Sequence, residues 1–178
     1  MNKQMMTAVA ALLISTMAFA APPMRFDAVL EGFNLAGEPV QTNAAGQARV
    51  EIIDDGTAVF FQIEVSNIRN LLMAHIHVNP NDVPLPLPLT APAGPVVYWF
   101  TGGPPNGTTV RETIHGNFAR GFIITDADLV DGNTVAGLIE SIKAGRASII
   151  VHTRDVDNQI PPNTQGNSPR GELRGTLQ

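Results

Sequence analysis

Cysteine is absent from this chain of 178 residues, which excludes disulfides, thiolate metal sites and cysteine nucleophiles. Basic residues are also scarce: 11 lysines and arginines stand against 16 aspartates and glutamates, and the net charge is −5. An acidic chain without a basic run does not favour nucleic acid or an anionic membrane surface as a partner. A domain of this composition has to be stabilised by its apolar core.

Long apolar runs are missing after the first twenty residues. Lys3 precedes an apolar stretch from Ala8 to Ala18, and Ala18-Phe19-Ala20 is a small-x-small cleavage signal. The pattern predicts a secretory signal peptide over residues 1–20 and one mature domain over residues 21–178. No later run approaches the ~18 apolar residues of a membrane span. We therefore expect an exported protein, periplasmic or secreted, with no membrane span after cleavage.

Frequent turn residues, 16 glycines and 14 prolines, separate short segments in which apolar and polar residues alternate. The clearest runs from Val59 to Ser66 and is joined to Gln47–Ile53 across Asp54-Asp55-Gly56, which predicts a β-hairpin. The fold class predicted is all-β, a Greek-key-like β-sandwich with one short crossover helix. The other predicted strands are Arg25–Leu30, Leu72–Val78, Pro95–Phe100, Thr108–His115, Phe118–Ile124, Ala147–Thr153 and Gly171–Leu177.

The one helix is predicted between the strands Phe118–Ile124 and Ala147–Thr153. Apolar residues recur at helical spacing from Val135 to Ile142, Asn133 or Thr134 can cap the start, and Gly145 can end it. Just before it, a capping-box pattern beginning at Thr125 predicts a helical turn.

Two loops interrupt the strand pattern. Asn79–Ala93 contains five prolines, which predicts a stiff, extended segment. It is either an insertion that covers a sheet edge or a ridge on which a partner docks. The second loop, Arg154–Pro169, is polar and has no periodicity.

His75 and His77 are two residues apart in a predicted strand, so their side chains leave the same face of the sheet. Their Cα atoms are expected about 7 Å apart, close enough for both imidazoles to bind one metal ion. His152, at the end of another apolar strand, is the candidate third ligand. Imidazole ligands without a thiolate suit copper or zinc, and copper binds more strongly.

A structural role for these histidines is the open alternative. An H-x-H pair also occurs on strands where both rings face solvent or hydrogen-bond across the sheet, and His152 can bind a backbone carbonyl. His115 precedes Gly116 at a predicted turn, where solvent exposure is expected. Near the C-terminus, Arg170, Glu172 and Arg174 alternate with two glycines and a leucine, so their side chains share one face and predict a partly solvated row of ion pairs.

The ordered set of motifs along the chain resembles the chordin-like (CHRD) domain family. That resemblance implies an exported all-β domain with no agreed enzymatic activity. The chain departs from the family's pattern by its two long loops, each of which adjoins a histidine strand. The motifs are Met73-Ala74-His75-Ile76-His77, Gly94-Pro95-Val96-Val97, Ile150-Val151-His152-Thr153 and Pro169–Leu177, with opening strands at Phe26–Gly32 and Ala45–Ala48.

A more distant similarity is to copper–zinc superoxide dismutases. It implies that His75, His77 and His152 match copper ligands and that Arg170 matches an anion-guiding arginine. His115 stands where a bridging histidine would be, in a context that does not match. The zinc ligands and the disulfide of those enzymes have no counterparts in this chain.

Three hypotheses follow for the function. The first is a CHRD binding module that holds copper through His75, His77 and His152. The second is a metal-free domain that recognises an extracellular or periplasmic protein, or a glycan, through Leu85–Leu89 with Tyr98 and Trp99. The third is an enzyme of the dismutase type.

Overall fold

The computed structural model describes residues 23–79, 92–101, 114–155 and 159–178. The signal peptide predicted over residues 1–20 lies outside them, as do Leu85–Leu89 and residues 108–113 of a predicted strand. Two 3-10 turns, Asp54–Gly56 and Asp126–Asp128, lie at predicted turns. The strands and the helix are β1 (Arg25–Leu30), β2 (Ala45–Ile53), β3 (Ala58–Val78), β4 (Val96–Thr101), β5 (Ile114–Ile124), α1 (Val135–Lys143), β6 (Ala147–Thr153) and β7 (Leu173–Thr176).

Strand β3 organises the whole sheet, because all pairings of these strands are antiparallel and four strands pair with β3. Its first half pairs with β2 and β5, and its second half pairs with β4 and β6. The sequence predicted two separate strands here, and that prediction is wrong. Asn67 and Asn70 adopt positive φ angles of 55° and 53° where the register with β5 shifts, so the strand bends without ending. Asparagine tolerates this conformation better than most residues.

The sheet curls until its two ends meet. The order β1-β2-β3-β6-β7 is closed by backbone hydrogen bonds between Glu31 and Arg174 and between Asp27 and Gln178. At the seam, a Cβ atom on Gly175 would lie 2.4 Å from the carbonyl oxygen of Val29, so only glycine allows this close approach. The predicted all-β fold is confirmed, with one continuous, nearly closed sheet.

The apolar core fills the inside of the curled sheet. Val59, Phe61, Ile63 and Val65 of β3 are buried there, as their alternation predicts. The predicted short helix is confirmed as α1, whose apolar stripe contributes to the same core. The Thr134 side chain caps the helix by accepting a hydrogen bond from the Gly137 N–H at 3.1 Å.

The same alternation decides where the histidines lie. Ala74 and Ile76 point into the core, so His75 and His77 lie on the opposite face of β3. On that face, the segments around Leu35, Gly94 and Pro169 lie against the histidines. Among the residues described, no helix is both long enough and apolar enough to cross a membrane.

Candidate metal centre

Three histidines converge on the outer face of the sheet. His75, His77 and His152 are only 3–4% exposed, and one ring nitrogen of each lies within 4.8 Å of those of the other two. The ring centroids of His75 are 4.5 Å from His77 and 4.4 Å from His152. The three side chains lie together, as their strand positions predict, and the alternative in which the rings face solvent is wrong. Their role as metal ligands stays a prediction.

Strand register brings the third ring to the first two. On β6, His152 is paired with Met73 and Ile150 with His75, so His152 lies diagonally across from His75 on the same face. On the other side of β3, Trp99 of β4 is paired with His75, and its ring centroid lies 4.6 Å from the imidazole. The three imidazoles therefore occupy adjoining strands, with an aromatic ring beside them.

Two backbone carbonyls fix the protonation of two of the rings. The Nδ1–H of His77 donates to the carbonyl oxygen of Gly94 at 2.6 Å, and the Nδ1–H of His152 donates to that of Pro169 at 2.9 Å. A carbonyl oxygen only accepts, so each ring holds its proton on Nδ1 and its lone pair on Nε2. Fixing the remote nitrogen in this way is what proteins do with metal-binding histidines.

The nitrogens left over are buried and have no hydrogen-bond partner among the described residues. They are the Nε2 atoms of His77 and His152 and the Nδ1 atom of His75. Leaving a buried polar atom without a partner costs about 1–3 kcal/mol. Three such atoms in one cluster are the donor set that a metal ion would satisfy.

All three imidazoles are held neutral. Burial lowers the pKa of His75 from 6.5 to about 2, with repulsion from His152 and then His77 adding to the effect. Burial also lowers the pKa of His152 to about 4, against the opposing hydrogen bond to Pro169. The pKa of His77 is lowered by burial first, opposed by Gly94 and assisted by the charge of Arg174. Neutral rings at physiological pH keep their lone pairs available for a metal.

The charged row near the C-terminus is arranged differently from the prediction. Glu172 and Arg174 are both fully buried (0% exposed), so the partly solvated ion-pair row predicted there is wrong. Burial lowers the pKa of the Arg174 guanidinium. Arg170 alone faces solvent, with its side chain 60% exposed and 3.8 Å from Glu38. Its predicted role as an anion guide stays a prediction.

Leu35 ties together the two segments that hold the histidine rings. Its carbonyl oxygen accepts from the Ala93 N–H at 2.9 Å, next to Gly94, and its own N–H donates to the Arg170 carbonyl at 2.8 Å, next to Pro169. The ends of both long loops therefore meet over the histidine face. The predicted bond of His152 to a backbone carbonyl is confirmed. Sequence reasoning did not identify Pro169 or Gly94 as the acceptor, because a backbone carbonyl carries no side-chain signal.

The aromatic residues of β4 divide between the two faces of the sheet. Tyr98 is buried and packs against Phe100 and Phe122, with centroids 5.2 Å and 6.3 Å away. This removes Tyr98 from the predicted contact surface for a partner. Trp99 is half-buried beside His75.

Comparison with known proteins identifies the family. A family model described as the CHRD domain matches residues 26–159, which include β1 from its second residue, the whole of β2 to β6 and the three clustered histidines. No curated protein and no solved structure matches the chain. The similarity to copper–zinc superoxide dismutases therefore rests on the residues alone. Since the match covers well over half of its length, this chain belongs to the CHRD domain family.

Proposed function

We propose that this CHRD domain is an exported binding module that holds one copper ion through His75, His77 and His152. The observation that carries the proposal is the set of three buried, neutral imidazole nitrogens without hydrogen-bond partners among the described residues. A structural histidine in a core uses its nitrogens for hydrogen bonds. Here each ring has one buried nitrogen without a hydrogen-bond partner among the described residues, and the three rings lie close to one another.

The donor set favours copper among the common metals. Calcium and magnesium prefer oxygen ligands, whereas imidazole suits zinc, copper, iron and nickel. Among divalent ions of that series copper binds most tightly at a given nitrogen site, and zinc is the other metal that an all-imidazole site suits. Copper bound at this site would be stored, delivered to another protein or used for one-electron chemistry. The protein's own contribution is to orient three neutral nitrogens and to keep them out of water.

Metal analysis of the purified mature protein tests this proposal. After challenge with copper and removal of loose ions, we expect close to one copper per chain. The double variant His75→Ala/His77→Ala should retain almost none. Absence of bound metal in the unaltered protein would refute the proposal, and a metal-free domain that recognises an extracellular protein or glycan would then be the better account.

Export is the second part of the proposal and rests on residues 1–20. Cleavage after Ala20 would leave a mature chain that begins at Ala21. N-terminal sequencing of the protein recovered from the periplasm or medium should read Ala-Pro-Pro-Met. A mature protein that still begins at Met1 would contradict it.

A further inference from the structure

Glu172 is a fully buried carboxylate placed just before β7. Its Oε1 atom accepts from the Thr42 hydroxyl at 2.6 Å, and its Oε2 atom accepts from the Thr153 hydroxyl at 2.5 Å and the Gly166 N–H at 2.7 Å. These donors come from three different segments of the chain, 130, 19 and 6 residues away from Glu172. Donors this short to a carboxylate are charge-assisted, and such bonds are roughly twice as strong as neutral ones.

The same network reaches the carbonyl that orients His152. Thr153 follows His152 in β6, and its hydroxyl oxygen accepts from the Ser168 N–H at 3.0 Å. The Ser168 carbonyl accepts from the Gly171 N–H at 2.9 Å, which closes a turn around Pro169. Pro169 therefore lies between two residues held by Glu172. Ser168 is held through the Thr153 hydroxyl, and Gly171 is bonded covalently to Glu172 as its neighbour in the chain.

Gly166 anchors the other end of that turn. Its N–H donates to Glu172, and its carbonyl accepts from the Asn70 side chain at 2.9 Å, at the bend of β3. The turn that carries Pro169 is thus attached to Glu172 at two points, directly at Gly166 and through the Thr153 hydroxyl at Ser168. By contrast, His77 is oriented by Gly94, which lies on a separate segment of the chain.

We infer that Glu172 is a positioning residue for the proposed copper site. Its carboxylate holds the turn from Gly166 to Gly171, so that the Pro169 carbonyl keeps the His152 proton on Nδ1 and presents Nε2 to the metal. The expected effect of Glu172 on copper affinity rests on the proposed function. Its effect on the orientation of His152 does not, because that orientation is present in the metal-free protein too.

The first measurement uses metal-free protein and nitrogen-15-labelled histidine. In the unaltered protein, nuclear magnetic resonance should show slowly exchanging Nδ1–H protons for both His77 and His152. In Glu172→Ala the His152 proton should be lost to exchange while that of His77 persists. Glu172→Gln, which keeps an acceptor oxygen but loses the charge, should show an intermediate exchange rate and guards against a misfolded alanine variant.

The second measurement is copper affinity by competition with a chelator. Removing an outer partner of a metal-binding histidine typically weakens metal binding about 10–100-fold. We expect a loss of that size for Glu172→Ala and a smaller one for Glu172→Gln. The control is Val50→Ala, a truncation of a fully buried residue of β2, which should lower thermal stability without changing copper affinity.

The outcomes separate the two proposals. If the unaltered protein binds copper but both Glu172 variants keep its affinity and its His152 proton, the positioning role is wrong and the copper site stands. If Val50→Ala loses as much affinity as Glu172→Ala, the effect is general destabilisation and the positioning role is again wrong. If no copper binds but the His152 proton still depends on Glu172, the proposed function fails and the orientation of His152 by Glu172 stands.

Discussion

His77 and His152 are oriented by the same device, a hydrogen bond from Nδ1–H to a backbone carbonyl, that of Gly94 at 2.6 Å for His77 and that of Pro169 at 2.9 Å for His152. The two carbonyls belong to different loops, and both loops are tied to Leu35. Both rings are consequently locked in the tautomer that leaves Nε2 unprotonated before any metal arrives. Preorganisation of this kind reduces the entropy lost on binding.

Trp99 should report copper binding directly. It is the only tryptophan of the chain, and its ring lies 4.6 Å from that of His75. Cupric ions quench indole fluorescence at short range by electron and energy transfer, so titration with copper should quench Trp99 and saturate near one equivalent. The same titration of His75→Ala/His77→Ala should show little quenching. Equal quenching in both proteins would place copper elsewhere.

His115 offers a matched control for the loss of a single ligand. Outer partners of metal-binding histidines are worth about 10–100-fold in affinity, so removal of a ligand itself should cost at least ~100-fold. We expect that loss in His152→Ala and an unchanged affinity in His115→Ala, since three nitrogens complete the proposed site. Chelator competition measures both. A larger loss in His115→Ala than in His152→Ala would contradict the assignment.

Acid should destabilise the metal-free protein through the buried histidines. The folded pKa values of His75 and His152, about 2 and about 4, lie below the ordinary 6.5, so the unfolded chain binds more protons in mild acid. The contribution of the two neutral histidines to the free energy of unfolding is fully present above pH 6.5. It is lost as the pH falls toward their pKa values in the folded protein. One pKa unit corresponds to ~1.4 kcal/mol, so each histidine should lower the free energy of unfolding by about 2 kcal/mol by about pH 5.

Urea unfolding at neutral pH and at about pH 5 measures this effect. His75→Gln/His152→Gln should show a clearly smaller loss of stability over the same interval, because glutamine does not titrate. If the free energy of unfolding falls equally in the variant and the unaltered protein, the two histidines do not take up protons on unfolding, contrary to our expectation.

The seam between β1 and β7 should not tolerate a side chain. A Cβ atom at position 175 would lie 2.4 Å from the Val29 carbonyl oxygen, so Gly175→Ala must push the two strands apart. Overpacking of this kind costs about 1–3 kcal/mol. Thermal unfolding should show that loss, while Val29→Ala, which shortens a side chain that is 69% exposed on the same seam, should change stability by no more than about 0.5 kcal/mol. A neutral Gly175→Ala would contradict the closed sheet.

Local patterns in the sequence were enough to predict most strand segments and the face of β3 on which His75 and His77 lie, but not the continuity of β3 and β5. Alternation around Ala74 and Ile76 fixes the face of His75 and His77, because one face of a half-buried strand must be apolar. Helical spacing and a capping threonine were likewise enough to predict α1. These features depend on neighbours within a few residues, which the sequence displays.

Long-range relations were harder to predict. Nothing in the pattern around Asn67 and Asn70 distinguishes a bend from the end of a strand. The burial of Glu172 and Arg174, against the exposure of Arg170, depends on which loops cover the outer face of β7. The carbonyl partners of the histidines depend on the path of two long loops, which propensities do not determine.

X-ray absorption spectroscopy of the copper-loaded protein tests the central claim most directly. We expect three nitrogen ligands at about 2.0 Å with the outer-shell scattering of three imidazoles, reduced to two imidazoles in His152→Ala. A spectrum dominated by oxygen ligands, or one unchanged when His152 is removed, would contradict a copper site made by His75, His77 and His152.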